Sequence, residues 1–274
     1  MNQAVRSASA AAAAAHPRDL GLSANGLQRL RQVLLREIDQ KRLPGAVATI
    51  ARQGKLGFLE AFGVQEPAGG ARIEIDSIFR IDSMTKPIVS VAMMMLVEEG
   101  CLFLADPLAK YVPAFADPKV AIEGDGGVEL VPAERPITIQ DLLRHTSGLT
   151  YEFVGAGAVQ LMYAEKGLPS TNQTNADRSD WQGCRCSASG PNVRRGSELL
   201  QPGHGFCLGF AVRTEPGMSV MPGSVGLYFW GGIAGTTFWI DPAEELYAMM
   251  LVQAPGQRDY YRALFRTLVH GALD

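Results

Sequence analysis

The sequence has little of what metal-binding, disulfide-bonded or nucleic-acid-binding proteins need. Its four histidines are scattered over 274 residues and form no H-x-x-x-H pair, which disfavours a metalloenzyme. The formal net charge is only −3 and there is no basic stripe, so we expect no nucleic-acid partner. We therefore expect no metal and no other cofactor. The four cysteines show no zinc or redox spacing and predict free thiols in a reducing cytoplasm; they are Cys101, Cys184, Cys186 and Cys207.

Long apolar runs are also missing. None reaches the length that a bilayer-spanning helix requires, so no membrane partner is expected. The N-terminal stretch contains the alanine run Ala10–Ala15 but no leucine-rich segment, and we interpret residues 1–20 as a flexible arm. An alanine-rich leader is the alternative. A cytoplasmic location is predicted, with the periplasm less favoured.

A further absence is the G-x-S-x-G motif, which excludes the nucleophile elbow of α/β-hydrolases. The chain instead contains Ser83-Met84-Thr85-Lys86 at the front of an apolar helical stretch. Positions i and i+3 share one face of a helix, so the Lys86 amine can approach the Ser83 hydroxyl. The first N–H groups of a helix lack partners and favour negative charge. One turn can thus supply a nucleophile, a base and an anion site.

The tetrapeptide alone occurs by chance in many proteins, so its surroundings matter. Residues 78–82 predict a buried strand that runs into the motif. Residues 87–100 predict a helix that is apolar almost all round, and hence central and buried, with Gly100 as its end. Burial disfavours a charged amine, and a neutral Lys86 can act as a base. The alternative is a core helix whose lysine reaches solvent.

The other elements predict an α+β fold in which one antiparallel sheet is built from both ends of the chain and covered by helices. Helices are predicted over Ser23–Lys41, Ile137–His145 and Asp259–Gly271. Strands are predicted over residues 46–52, 56–63, 206–213, 227–232, 236–240 and 246–253. We assign residues 21–274 to one domain, with an α/β part (21–80 and 203–274), a helical part (81–175) and an irregular join (176–202).

Four stretches together resemble the β-lactamase-related serine hydrolases, which include class C β-lactamases, penicillin-binding proteins and family VIII esterases. They are Ile78–Lys86, Leu104–Pro107 with Tyr111–Pro113, Ile137–Leu149, and Trp230–Gly232. The resemblance implies a β-lactamase/transpeptidase-like fold with a helical lobe. The chain is shorter than is typical of the family, and the shortfall lies between Ala176 and Leu200. We hypothesise an internal deletion there with a shifted reading frame, which leaves a reduced lobe.

The resemblance also implies roles for individual residues. Ser83 would attack an ester or amide carbonyl to form an acyl-enzyme, and Lys86 would help to deprotonate it. Backbone N–H groups of Ser83 and Ile233 would hold the oxyanion, the latter just past the glycine pair of an edge strand. The acyl pocket would be lined by Trp230, Gly231 and Gly232. His145 would belong to the scaffold.

The chain departs from the family in one motif. Members usually carry Tyr-x-Asn, whose phenol assists proton transfer, but no tyrosine of this chain begins such a triplet. Ser170-Thr171-Asn172 matches the Ser-x-Asn variant, although we favour a simple turn as the interpretation of this polar triplet. Tyr151 and Tyr163 are spatial substitutes to consider.

These features predict a serine esterase that cleaves small carboxylic esters, with weak β-lactam hydrolysis as a further possibility. The strand at Trp230 lacks the usual cationic or hydroxyl carboxylate-binding residues and so favours esters. One alternative is a penicillin-recognising protein that is acylated and turns over slowly. Another is a truncated homologue with impaired catalysis. The partner is a small ester or β-lactam in the first two cases, and the sequence does not predict an oligomeric state.

Overall fold

A computed structural model of the chain describes residues 15–66, 70–124, 127–151, 157–165, 187–189, 200 and 202–274. Its α-helices are α1 (Ala24–Asp39), α2 (Thr85–Glu98), α3 (Ile139–Leu143), α4 (Ala158–Glu165) and α5 (Arg258–His270). Its strands are β1 (Gly45–Arg52), β2 (Lys55–Gly63), β3 (Lys119–Gly124), β4 (Gly127–Pro132), β5 (Ser187–Ser189), β6 (His204–Cys207), β7 (Phe210–Arg213), β8 (Tyr228–Gly231), β9 (Thr237–Asp241) and β10 (Leu246–Val252). Within the described ranges, no helix is both long enough and apolar enough to cross a bilayer.

The main sheet joins the two ends of the chain. Its seven strands follow the order β2-β1-β10-β9-β8-β7-β6. Strand β1 pairs antiparallel with β2 on one side and with β10 on the other, Ala46 lying opposite both Phe62 and Val252. The predicted α+β fold, with an antiparallel sheet built from both termini, is therefore confirmed.

Helices α1 and α5 supply the core on one face of this sheet. Leu27, Leu30 and Leu34 recur at helical spacing on α1 and are almost fully buried. Ser23 caps this helix, its Oγ accepting a hydrogen bond from the Gly26 N–H at 3.4 Å. The buried residues of α5 are Tyr261, Phe265, Arg266 and Val269. Both helices occur where the apolar periodicity predicts them.

The last residues of the predicted N-terminal arm are packed. Pro17–Leu20 form a 3₁₀ turn, and Leu20 is only 1% exposed within the core. The Ala15 N–H donates to the Leu56 carbonyl oxygen at 3.2 Å. Residues 17–20 thus differ from the expected flexible arm, because an apolar side chain anchors them.

By its internal contacts the chain divides into two compact units. The first comprises Met1–Ile88, Gln201–Gly205 and Phe210–Asp274, and the second comprises Val89–Leu200 and Phe206–Gly209. The second unit has its own apolar cluster. Its buried residues are Leu102, Leu108, Ile137, Ile139 and Leu143. It also contains a three-stranded sheet in the order β4-β3-β5.

This small sheet was not predicted. Nearly all of β4 is exposed, so its sequence carries no buried face that would mark a strand. Strand β5 lies in the join that was predicted to be irregular, and it pairs in parallel with β3 over three residues. The prediction of a wholly irregular join is therefore wrong at Ser187–Ser189.

The motif at Ile137–Leu149 serves as a scaffold within the second unit. Thr138 and Asp141 form a capping box at the start of α3. Arg135 binds the Asp141 carboxylate at 2.6 Å and holds the pKa of that carboxyl below its usual range. Thr146 also donates to Asp141, at 3.1 Å. His145 stacks on Phe206 with 4.2 Å between ring centroids, which agrees with a structural role.

Two predicted strands differ in the structure. Residues 77–81 form neither helix nor strand, and Ile78 is 99% exposed, so the predicted buried strand before the motif is wrong. The strand predicted over residues 206–213 is interrupted by a turn at Leu208 and Gly209 and becomes β6 and β7. Leu208 and Gly209 both have positive φ, which breaks an extended strand.

Helix α2 forms as predicted but is not buried all round. Ile88, Val91 and Met95 are 60%, 52% and 55% exposed, whereas Ser90 is only 4% exposed. An apolar helix sequence indicates that burial is favourable, but the covering residues must come from elsewhere in the chain. The prediction of a fully buried helix is therefore wrong.

Candidate active site

Ser83 and Lys86 meet at the beginning of α2. Ser83 lies in the 3₁₀ turn Asp82–Met84, which continues directly into the helix at Thr85. The Lys86 Nζ donates a hydrogen bond to the Ser83 Oγ at 3.1 Å. Both residues are half-buried, so the pair is shielded by protein yet reachable by a small molecule. The separation is within the range for proton transfer between a hydroxyl and a base.

Asp82, which precedes the serine, has an unusual backbone. Its φ is +45°, in the left-handed region that non-glycine residues occupy at a cost. Its side chain compensates, because Oδ2 accepts a hydrogen bond from the Ala234 N–H at 3.2 Å. This contact joins the serine turn (Asp82–Met84) to the chain just after β8.

The backbone before Ser83 is held by further contacts from the sheet. Gln253 donates its Nε2 to the Arg80 carbonyl oxygen at 3.0 Å. The Ile81 carbonyl oxygen accepts from the Met84 N–H at 2.9 Å and from the Thr236 Oγ1 at 3.4 Å. These bonds replace the sheet hydrogen bonds that a strand would have made, and they fix the turn that contains Ser83.

Gly232 is required by close packing against this turn. A Cβ at Gly232 would collide with the Ile81 carbonyl oxygen and lie 2.5 Å from the Thr236 Oγ1. The Gly232 N–H donates to the Thr236 carbonyl oxygen at 2.9 Å, which closes the turn between β8 and β9. Only glycine lets this turn approach the residues that precede Ser83.

Ile233 is bracketed by contacts to the serine turn. Its neighbour Gly232 packs on Ile81, and its other neighbour Ala234 binds Asp82. Within the part of the chain that the structure describes, the backbone N–H groups of Ser83 and Ile233 donate to no protein acceptor. Unpaired backbone N–H groups are the kind of donor that an oxyanion requires.

Strand β8, which carries Trp230 and Gly231, is an interior strand rather than the predicted edge strand. It pairs with β9 along its length, and β7 pairs with it at Tyr228 and Phe229. The ladder with β7 stops there, so Trp230 and Gly231 are matched by β9 alone. The prediction of an edge strand is therefore wrong at Tyr228 and Phe229, where β7 pairs with β8.

The proposed substitutes for the missing tyrosine motif stay predictions. Tyr151 belongs to the second unit and is 43% exposed, and its carbonyl oxygen accepts from Gln160 Nε2 at 3.4 Å. Tyr163 lies on α4 of the same unit. Ser170 and Asn172 lie outside the described residues. Among the residues that the structure does describe, no group of acidic, histidine or cysteine side chains could hold a metal ion.

Sequence reasoning missed two residues of the site, Asp82 and Arg262. Asp82 precedes a serine, but nothing in the sequence signals its left-handed φ or its bond to Ala234. Arg262 lies on α5, and its guanidinium donates to the Gly232 carbonyl oxygen. A charged residue in an amphipathic helix could have drawn attention to Arg262. Its contact could not be predicted, because Gly232 lies 30 residues away along the chain.

Replacing Asp82 separates its backbone role from its side-chain role. We expect Asp82→Ala to lower ester turnover about tenfold and the free energy of unfolding by about 1–2 kcal/mol, because it loses a hydrogen bond and strains the left-handed residue. Asp82→Asn keeps an acceptor oxygen and tolerates positive φ, so turnover within about threefold of wild type is expected. Steady-state kinetics and urea unfolding measure both. Equal losses in the two variants would contradict this assignment.

Parts of the chain resemble known proteins. The family model described as Beta-lactamase matches residues 27–182. Esterase EstB of Burkholderia gladioli is 39% identical over 150 residues, which cover 54% of this chain and 36% of EstB. Protein Rv1367c of Mycobacterium tuberculosis is 38% identical over 134 residues, or 48% of this chain and 33% of that protein. The chain therefore matches about a third of the length of these curated relatives.

Solved structures agree on the fold. EstCE1, a hydrolase with promiscuous acyltransferase activity, aligns with a TM-score of 0.66 at 18% identity, covering 90% of this chain and 98% of EstCE1. Simvastatin synthase LovD from Aspergillus terreus aligns with a TM-score of 0.68 at 16% identity, with the same coverage of 90% and 98%. At these identities the likeness concerns the fold alone. Because the family model matches more than half of the 274 residues and the fold agrees with it, the chain belongs to the beta-lactamase family of serine hydrolases.

Proposed function

We propose that the protein is a serine esterase that cleaves small carboxylic esters through an acyl-enzyme. The observation that carries the proposal is the 3.1 Å contact between Lys86 Nζ and Ser83 Oγ at the start of α2. A serine hydroxyl is a weak nucleophile, and it becomes effective when a base at hydrogen-bonding distance takes its proton. Ser83 is the nucleophile and Lys86 is the base.

The proposed reaction has two halves. In the first, the Ser83 Oγ bonds to the carbonyl carbon while its proton passes to the Lys86 amine. The tetrahedral intermediate carries its negative charge near the N–H groups of Ser83 and Ile233. Its collapse breaks the bond to the leaving alkoxide, which takes the proton from Lys86. In the second half, a water adds to the acyl carbonyl in the same way, releases the carboxylic acid and restores Ser83.

Esters are proposed ahead of β-lactams on two grounds. The segment Trp230-Gly231-Gly232-Ile233 offers no cationic or hydroxyl side chain that could bind the carboxylate of a β-lactam. Ile233 is 53% exposed and presents an apolar side chain at this point. Among the relatives, EstB is named as an esterase, and it is 39% identical over the matched segment. A small apolar acyl group matches these residues best.

The test compares two chromogenic substrates on the purified protein. We expect steady hydrolysis of p-nitrophenyl butyrate, at least about tenfold faster in kcat/KM than hydrolysis of nitrocefin, because the strand has no carboxylate-binding group. Intact-mass spectrometry after brief mixing should detect an acyl adduct on the peptide that contains Ser83. Nitrocefin hydrolysis that equals or exceeds ester hydrolysis would contradict the proposed substrate preference.

The same measurement separates the alternatives. Stoichiometric acylation by nitrocefin without turnover would favour a penicillin-recognising binding protein over an esterase. Failure of both substrates to react at Ser83 would favour a catalytically impaired homologue. The sequence gives a reason to test for that outcome, since the chain covers about a third of its curated relatives and no tyrosine begins a Tyr-x-Asn triplet.

A further inference from the structure

Arg262 reaches from α5 to the end of β8. The residue lies in the second turn of the helix, and its guanidinium donates a hydrogen bond to the Gly232 carbonyl oxygen. A second nitrogen of the guanidinium lies 3.5 Å from the Asp259 Oδ1, one turn earlier. The Nε is buried and has no partner within the described part of the chain. Burial lowers the pKa of Arg262, yet a guanidinium stays charged in proteins.

The guanidinium lies directly on Gly231. A Cβ at that position would lie 2.6, 2.8 and 2.9 Å from three guanidinium atoms, so a side chain there would displace Arg262. The two adjacent glycines therefore serve different contacts. Gly231 leaves room for Arg262, and Gly232 leaves room for the Ile81 carbonyl group. The glycine pair is the point where α5 and the serine turn both contact β8.

The Gly232 carbonyl and the Ile233 N–H belong to one planar peptide unit, in which the C=O and N–H bonds point in opposite directions. The carbonyl oxygen accepts one hydrogen bond from Arg262 and another from the Gly235 N–H at 3.1 Å. Two donors on the oxygen fix the orientation of the whole unit. A cationic donor also withdraws electron density, so it makes the N–H at the other end a stronger donor.

We propose that Arg262 is a positioning residue that orients and polarises the Gly232–Ile233 peptide so that its N–H stabilises the oxyanion. The proposal rests on the proposed function, because it assumes that an oxyanion forms beside Ser83. In this role the charge of Arg262 acts on the Gly232 carbonyl oxygen, at the opposite end of the peptide unit from the Ile233 N–H, and Arg262 does not contact the substrate. Ester binding should therefore depend little on Arg262, whereas stabilisation of the tetrahedral intermediate should depend on it strongly.

Kinetics of two Arg262 variants test this role. We expect Arg262→Gln to lower kcat for p-nitrophenyl butyrate about 10–100-fold with KM within about threefold, because loss of a whole oxyanion donor costs about 10²–10³. Arg262→Lys keeps the charge without the planar guanidinium, so a loss of about 3–10-fold is expected. Affinity for butylboronic acid, which forms a tetrahedral serine adduct, should fall in parallel with kcat. Arg258→Gln, on the same helix, is the matched control and should behave as wild type.

A measurement on the resting protein keeps the proposal separate from the proposed function. With ¹⁵N-isoleucine labelling and Ile233→Val for assignment, the Ile233 amide resonance should move in Arg262→Gln and stay in place in Arg258→Gln. If kinetics, boronate affinity and the Ile233 amide resonance are all the same as in wild type in both Arg262 variants, the proposal is overturned. A lower melting temperature with those three readouts unchanged would also overturn it, in favour of a purely structural role. If wild-type protein hydrolyses no ester, the proposed function fails and the oxyanion role fails with it, while a moved resonance still supports orientation of the peptide by Arg262.

Discussion

Ser83→Ala should abolish ester hydrolysis. The variant loses the only atom proposed to bond to the substrate carbonyl, and we expect kcat/KM for p-nitrophenyl butyrate to fall about 10⁴-fold or more, to the rate of the blank. The acyl adduct detected by intact mass should disappear as well. Because Ser83 is half-buried in a turn held by backbone contacts, removal of one oxygen should leave folding unchanged, which circular dichroism and thermal melting will check.

Ser77→Ala is the matched control for this prediction. Ser77 precedes the serine turn, and its Oγ accepts a hydrogen bond from the Glu74 N–H at 2.9 Å on the surface. Its loss should leave ester hydrolysis within about twofold of wild type, as is usual for exposed substitutions. Residual acylation of Ser83→Ala at the wild-type rate would mean that another nucleophile is in use.

The pairing of Ser83 with Lys86 could be predicted from the sequence because it is local. A separation of three positions places both side chains on one face of a helical turn, independently of the rest of the chain. The observed turn begins as a 3₁₀ turn rather than with an α-helical residue, yet the Nζ–Oγ distance is 3.1 Å. Amphipathic helices such as α1 and α5 could be predicted for a similar reason, since their apolar periodicity is complete within each segment.

The contacts that support this pair could not be predicted, because each joins distant parts of the chain. Ala234 binds Asp82 across 152 residues, and Gln253 binds Arg80 across 173 residues. Neither bond leaves a pattern in the sequence on either side. The strand expected before the motif illustrates the same point. Its apolar residues suggested a buried strand, but the side chains of Thr236, just before β9, and Gln253, just after β10, bind its carbonyl groups instead.

The exposure of α2 has a related origin. Its sequence is apolar almost all round, and such a helix gains free energy when it is covered. The family model matches the chain only as far as residue 182, within the stretch that we interpret as the site of an internal deletion. The hypothesised deletion would leave fewer residues to cover the helix, which is consistent with the exposed side chains at Ile88, Val91 and Met95.

Lys86→Met should lower kcat for p-nitrophenyl butyrate about 10³-fold, because a general base contributes about 10²–10⁴ and methionine keeps the length and apolar stem without the amine. Lys110→Met is the matched control: Lys110 pairs with Asp106 at 2.9 Å on the surface, and its loss should leave the rate unchanged.

Lys86→Arg separates a base from a fixed positive charge. A guanidinium keeps the charge but does not give up its proton in proteins, so it cannot accept one from Ser83. We therefore expect the arginine variant to lose as much activity as the methionine variant, while both still fold as judged by circular dichroism. If the activity of Lys86→Arg is near that of wild type, Lys86 has an electrostatic role and the proton of Ser83 passes to another group. Equal losses in both variants, with normal rates in Lys110→Met, would support proton transfer from Ser83 to Lys86 as the step that starts the reaction.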